Sequence, residues 1–505
     1  MRHLIVAIIF LLSPLDLDAF EFQRMHIQNG KLLFSDKSEV TLWGVNLEIC
    51  LSSEHERMKR HGRFIPFFAP EYQTMIRETF DELEVLGVEV IRLPLAPGDL
   101  TDEDGDLVEN EWLDTLDFVM KEAQVRGIYV SLALFDADGK AEDASFVRDQ
   151  DEKEIFFSDR FQRNYEQFFR QLLNRRNPYD GSRQYQDNPA WVIVEPLGTP
   201  VLPGYGELEE RYPEIDSGYR RWLSDKEQES SEEAFIEYGA EQMGLFIERL
   251  QILLKEEEAE QVMSWVINGT GVDARFLPWF PGVLEDSEGY LYSFSAGSFG
   301  EQGEAESAST FVESLHEMKR KREWHGWQLE APYEFGYARI VNKFDVPAGR
   351  GASLYPVMAK WFRSLGVQVA TLWTYRCTGI RPYYSGPHNF NLKTTPQKAA
   401  GYLVAREVFR KSPRFVRFSV SDKEVTRIGG AAISFASNSS AVSDESLLIH
   451  AGTMDSGFVS LPDSPMNVIG VGSSPLIRFE GPSLYHLDKD IHVPSPPKDS
   501  LLDRF

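Results

Sequence analysis

The chain has 505 residues, 42% hydrophobic and 12% aromatic, with a formal net charge of −27 and a sequence pI near 4.9. That length exceeds one small core and accommodates a barrel of roughly 250 to 400 residues plus an accessory unit. An acidic surface repels nucleic acid and anionic lipid, suits an uncharged ligand and serves solubility. With Cys50 and Cys377 as the only cysteines, a disulfide scaffold and a cysteine-rich zinc site are both excluded.

Met1-Arg2-His3 followed by the apolar run Leu4 to Leu12 reads as a basic head and a short hydrophobic core, with Ala19 near a plausible cleavage point. The run is too short to span a bilayer, so residues 1–19 are expected to form a secretory signal peptide and the mature protein to be secreted or periplasmic. No later segment is apolar for long enough to cross a membrane. Phe20–Phe34 is expected to form a hairpin that closes a barrel floor.

From about residue 40 to residue 411, short apolar runs alternate with amphipathic stretches, the pattern of βαβ units around a parallel sheet. Eight strands are expected at Thr41–Asn46, Val88–Leu95, Gly127–Phe135, Ala190–Leu197, Gln261–Asn268, Tyr290–Ser295, Gln328–Glu334 and Val367–Trp373. Phe235, Tyr238, Phe246, Leu250 and Leu254 fall on one face of a long helix between strands four and five. Leu354, Met358 and Phe362 do the same before strand eight, with Ser353 as the expected N-cap, and Thr395-Pro396 opens the last helix. The fold class is therefore a (β/α)8 barrel over residues 20–412. Past Pro413, short β-prone runs separated by Gly, Ser, Asn and Asp predict a small all-β, sandwich-like domain over 413–492, followed by an extended tail, 493–505.

Function in such a barrel gathers at the C-terminal strand ends. Those ends read Trp43-Gly44-Val45-Asn46, Ile91-Arg92-Leu93-Pro94, Glu195, Pro332-Tyr333-Glu334-Phe335-Gly336 and Leu372-Trp373-Thr374-Tyr375. Asn177-Pro178-Tyr179-Asp180-Gly181 leads into Asp187-Asn188-Pro189-Ala190, and His388-Asn389-Phe390-Asn391-Leu392 precedes Thr395-Pro396-Gln397-Lys398-Ala399. In this order the motifs resemble glycoside hydrolase family 5 and its clan A relatives, in a divergent bacterial branch.

The resemblance implies a retaining mechanism on a β-linked glycan, with two carboxyl groups about 5 to 5.5 Å apart. Glu334, in its Glu-Phe-Gly, takes the nucleophile's place. Counting from Asp187-Asn188-Pro189 puts Thr199 at the acid/base position, where a hydroxyl cannot serve as a tuned acid. A second alignment uses Glu195-Pro196 and sets the acid about 13 Å deeper in the barrel. Glu207 and Glu209, on the loop after strand four, are candidates for a replacement acid. Arg92 is expected to support the nucleophile or to pair with Glu195; Trp373, Tyr292, Asn46 and His388 are expected at the substrate.

Cys50 and Cys377 each follow a strand by four residues, and strands one and eight are neighbours in a closed barrel, so the pair is a disulfide candidate in an oxidising compartment. No phosphate loop, zinc pair or nucleophile elbow occurs, so no metal or cofactor is expected. The sequence thus predicts a secreted, monomeric glycosidase-like protein whose partner is an oligo- or polysaccharide. The alternative is an inactive pseudoenzyme that kept the cleft and binds carbohydrate.

Overall fold

A computed structural model describes residues 20–60, 70–135, 145–148, 151–198, 201–266, 290–298, 338–345, 351–378, 390–392 and 395–416, with residue 419, residues 425–434 and 438–443, and further strands to residue 486. The expected signal peptide and the 493–505 tail lie outside these residues.

The chain begins with the hairpin β1 (Met25–Gln28) and β2 (Lys31–Phe34). Eight parallel strands then close a ring: β3 (Leu42–Leu47), β4 (Val90–Pro94), β5 (Tyr129–Ala133), β8 (Trp191–Glu195), β9 (Val262–Val266), β10 (Tyr290–Ser298), β11 (Ala338–Asp345) and β12 (Val369–Tyr375), which returns to β3. Between β5 and β8 sits a two-residue hairpin, β6 (Arg176–Asn177) and β7 (Arg183–Gln184). Seven ring strands overlap the expected ones. The seventh does not: it is Ala338–Asp345, while Gln328–Glu334 lies outside the described residues.

Side chains alternate across each strand, so one set fills the barrel and the other meets the helices. Leu42, Val90, Tyr129, Ile193, Val262, Ile340 and Val369 form the lower interior, and Met25 and Leu32 of the hairpin join the same cluster. The hairpin thus plugs the floor, as its sequence suggested; Gln368 ties it there by accepting from Leu32 N at 2.8 Å and donating to Leu32 O at 2.7 Å. Trp43, Val45, Ile91, Val130, Val194, Val341 and Leu372 belong to the outer cluster beneath the helices.

The main helices are α1 (Ser52–Arg60), α2 (Pro70–Val85), α3 (Glu111–Val125), α4 (Asp159–Asn174), α5 (Pro213–Lys226), α6 (Glu232–Glu256), α7 (Gly351–Ser364) and α8 (Pro396–Lys411). The periodic residues of α6 are buried as a stripe, and Pro396 opens α8 at its first turn. Ser353 is not the cap of α7, which starts at Gly351; its hydroxyl faces Asn438 Oδ1 at 2.8 Å.

The Asn177–Gly181 motif proves architectural. Asn177 Oδ1 accepts from Tyr179 N at 2.9 Å, its amide donates to Asp117 O, and Tyr179 Oη donates to Asp114 at 3.0 Å. Gly181 and Ser182 both take positive φ to close this turn, and Asn188 Oδ1 accepts from Ala190 N just ahead of β8. These contacts fix where the fourth ring strand starts.

After α8, eight strands pair antiparallel in chain order, β13 (Thr426–Ile428), β14 (Ala431–Ser434), β15 (Ser439–Ser443), β16 (Leu448–Ala451), β17 (Asp455–Phe458), β18 (Asn467–Gly472), β19 (Ile477–Glu480) and β20 (Ser483–His486). This sheet rests on α7 and α8, where Ala352, Ala400 and Ala451 make a small buried cluster.

Candidate functional site

Above the apolar floor, the inner face of the barrel turns polar. Asn46 on β3, Arg92 on β4, Glu195 at the end of β8, Ser264 on β9, Asn342 on β11 and Thr371 on β12 are each at most 3% exposed. Burying so many polar groups is tolerable only if they bond one another. Arg92 meets Glu195 side-on: Nε donates to Oε2 at 3.1 Å and Nη2 donates to Oε1. Arg92 Nη1 also donates to Asn46 Oδ1 at 3.0 Å, and Asn46 Nδ2 donates to the Asn342 carbonyl at 2.8 Å. Thr371 Oγ1 donates to that same carbonyl at 2.6 Å.

The network ends on an irregularity in β11. Val341 pairs with Ala370 and Phe344 with Leu372, so two residues, Asn342 and Lys343, oppose the single Thr371. An extra residue of this kind is a β-bulge, a device that re-aims side chains at barrel rims. Phe344 turns outward against Trp43 and Phe362. Lys343 turns to the mouth, its ammonium 4.1 Å from the ring centroid of the partly exposed Trp373. The Asn342 side chain is 2% exposed, and neither of its polar atoms has a hydrogen-bond partner among the described residues; the Ser264 hydroxyl, level with Glu195 and fully buried, has none either.

The eight ring strands contain two carboxylates. Glu195 faces inward. Asp345 closes β11 but faces the helices, accepting from Tyr355 Oη at 3.1 Å and Lys398 Nζ at 3.4 Å. Glu48, the residue after β3, is held at the rim by Arg376, which also reaches Glu54 at 3.0 Å.

Of the sequence-predicted residues, the structure brings Asn46, Arg92, Glu195 and Trp373 to one mouth. The Arg92–Glu195 pair is present, with Arg92 donating to the carboxylate through two nitrogens. Glu334 lies outside the described residues; in sequence it precedes β11 by four residues, and the described end of β11 carries Asn342 and Lys343. Thr199 and His388 also lie outside the described residues. Tyr292 lies in β10, in register with Trp265 and Arg339, and its side chain is outside the description.

Glu207 is unsuited to replace the acid. Lys153 Nζ at 2.8 Å and the Gly204 N–H at 3.0 Å pull its pKa down to about 2, so it is ionised wherever a glycosidase works. Cys50 and Cys377 are free thiols, not a disulfide; both are buried, and desolvation raises both pKa values, that of Cys377 to about 12. Among the described residues no group of His, Cys, Asp and Glu could hold a metal ion.

Sequence reasoning missed Asn342, Lys343, Ser264 and Thr371. A signal for the first two was present: Ile340-Val341 opens a strand-like run, and one helix-length stretch separates it from strand eight, as a βαβ crossover requires.

No model of a known protein family matches the chain, and no curated protein matches it. Solved structures do. The endo-1,4-β-mannanase of Rhizomucor miehei superposes with a TM-score of 0.51 at 13% identity, over 77% of this chain and 100% of the mannanase. The endo-β-1,4-mannanase of Thermotoga petrophila gives 0.48 at 13% identity, over 88% and 97%. The family 5 mannosidase of Rhizomucor miehei gives 0.48 at 10%, over 76% and 98%. The chain is similar in fold to the Rhizomucor miehei mannanase. At such identities the likeness is one of backbone, and chemistry has to be read from the site.

Proposed function

We propose that this protein binds a β-linked glycan in the barrel mouth without hydrolysing it. The observation that carries the reading is the end of the seventh ring strand, which offers Asn342 and Lys343 to the mouth and no carboxylate. Retaining hydrolysis needs a nucleophile and an acid/base about 5 to 5.5 Å apart. Glu195, the one inward strand carboxylate, is fully buried and engaged by Arg92 on both oxygens. Thr199 at the aligned acid position supports the same conclusion from the sequence. Trp373 supplies a flat face and Asn342 a donor and an acceptor, the groups a sugar-binding cleft uses. The apolar N-terminal run supports a place in the periplasm or outside the cell.

The test pairs binding with product analysis. Isothermal titration with soluble galactomannan and mixed-linkage β-glucan should give saturable binding, while chromatography of long incubations should show no released oligosaccharide. Turnover of an unactivated glycan at an ordinary enzyme rate would sink the reading, as would absence of binding to every β-glycan tried. A hydrolase would draw its nucleophile from Glu334, which the Glu-Phe-Gly match favours. In that case Glu334→Gln abolishes cleavage of an activated aryl glycoside; equal, background rates in both proteins are the expected result.

A further inference from the structure

We propose that Asn342 and Ser264 are a hydroxyl-reading pair, selecting a glycan whose sugar enters the barrel with unsubstituted hydroxyls, down to the level of Glu195. The inference rests on the carbohydrate-binding reading above and deepens it by naming the groups that read the sugar. Side chains two residues apart on a strand share a face. Ile340 and Val262 belong to the apolar lower interior, so Asn342 and Ser264, two residues further along their strands, point inward just above that floor. Their strands flank β10 on either side, so the two groups border one stretch of the inner wall.

Both groups are buried yet unmet. Asn342 is 2% exposed, and neither its amide N–H nor its amide oxygen has a hydrogen-bond partner among the described residues; the fully buried Ser264 hydroxyl has none either. Their neighbours in the layer are paired. Arg92 engages Glu195 and Asn46, while Asn46 and Thr371 donate to the Asn342 carbonyl at 2.8 and 2.6 Å. Those last two bonds fix the Asn342 backbone at the bulge and leave its side chain uncommitted. A buried polar group without a partner lowers the stability of a fold, so two of them facing the barrel interior mark a place where stability gives way to binding. Their chemistry defines the ligand. The Asn342 N–H groups need an acceptor, its oxygen needs a donor, and the Ser264 hydroxyl can serve as either. A carboxylate only accepts and an ammonium only donates, whereas a sugar hydroxyl does both. Trp373, two residues beyond Thr371 on the same strand and partly exposed, marks the mouth side above them.

Opposite responses of stability and affinity test the idea. The probe is β-1,4-linked mannotriose or cellotriose, whichever the wild type binds more tightly in titration calorimetry. Asn342→Leu, similar in size and apolar, should raise the thermal midpoint and weaken the sugar about tenfold or more. Ser264→Ala should leave the midpoint equal or higher and weaken the sugar by a smaller factor. Trisaccharides with one hydroxyl of the terminal sugar replaced by hydrogen then assign the contact. At least one should bind the wild type about tenfold more weakly than the parent sugar, yet bind Asn342→Leu as well as the parent does. If Asn342→Leu does not fold by circular dichroism, the Ser264→Ala response decides. Variants that bind the sugar as the wild type does would mean that the pair serves only buried water, so the inference falls while glycan binding stands. Midpoint and affinity lost together would make both residues structural and also overturn it, as would a deoxy penalty undiminished in Asn342→Leu. Failure of the wild type to bind any β-glycan overturns the carbohydrate reading itself.

Discussion

Arg92 and Glu195 show how a single pair can stabilise a fold and still restrict chemistry. Both are essentially inaccessible, and the guanidinium meets the carboxylate through two nitrogens. Removing one partner of such a pair leaves a buried charge unmatched, typically at a cost of about 3–5 kcal/mol. Glu195→Leu should therefore lower the free energy of unfolding in urea by that order, and the double variant Arg92→Met/Glu195→Leu should recover much of the loss. A double variant no more stable than Glu195→Leu would show that the residues act separately. At the surface, Glu207 makes a pH-dependent contact. Its folded pKa, about 2, lies below the usual value of 4.5, so the carboxylate stabilises its loop above pH 4.5 and this contribution disappears as pH falls through 2. Carboxylate NMR titration should place Glu207 near 2 in the wild type, and Lys153→Met should move it upward; a titration near 4.5 in the wild type contradicts the assignment.

At the level of elements, the sequence revealed what local physics determines. Strands such as Val90–Pro94 and Trp191–Glu195 are buried on both faces, one toward the barrel and one toward helices, and apart from the paired Arg92 and Glu195 they are apolar, which leaves a legible run. Helix α6 was legible because its buried stripe repeats over seven turns' worth of sequence. The expected strand Gln328–Glu334, placed on the motif Glu334-Phe335-Gly336, lies outside the described residues, and the ring strand Ala338–Asp345 is built from the apolar run that follows it. The bulge was invisible: nothing in Val341-Asn342-Lys343-Phe344 tells which residue is the extra one until Thr371 stands opposite. The Asn46–Arg92–Glu195 half of the site could be named from strand ends, whereas Asn342 and Lys343 needed the closed ring. Helix α3 shows a capping signal that is testable. Asn110 Oδ1 accepts from Trp112 N at 3.1 Å and Leu113 N at 3.0 Å, so Asn110→Ala should cost about 1 kcal/mol in equilibrium unfolding. Asn110→Asp should stay within a few tenths of wild type, and equal losses in both variants would refute the cap.

On the scale of the whole molecule, the last two helices of the barrel serve two neighbours. Their inner sides hold β11, β12 and β3, through Phe344 against Phe362 and Trp43 against Tyr402 and Phe409. On the other side they carry the antiparallel sheet at close range, because Ala352, Ala400 and Ala451 are small, Ser440 Oγ donates to the Ala352 carbonyl, and Ser353 faces Asn438 at 2.8 Å. Such packing is dense, and adding methylenes to it typically costs about 1–3 kcal/mol. Ala400→Leu should therefore destabilise by that order, and the effect should reach the barrel because α8 belongs to both layers. In differential scanning calorimetry the wild type should unfold in one transition, and the variant in one transition at lower temperature. The sheet would count as an independent unit if the variant instead split the trace, with the larger transition unmoved and early proteolysis confined to the chain beyond Ser412. A single shifted transition would mean that the seventh strand, and with it Asn342 and Lys343, is steadied partly by the sheet at its back.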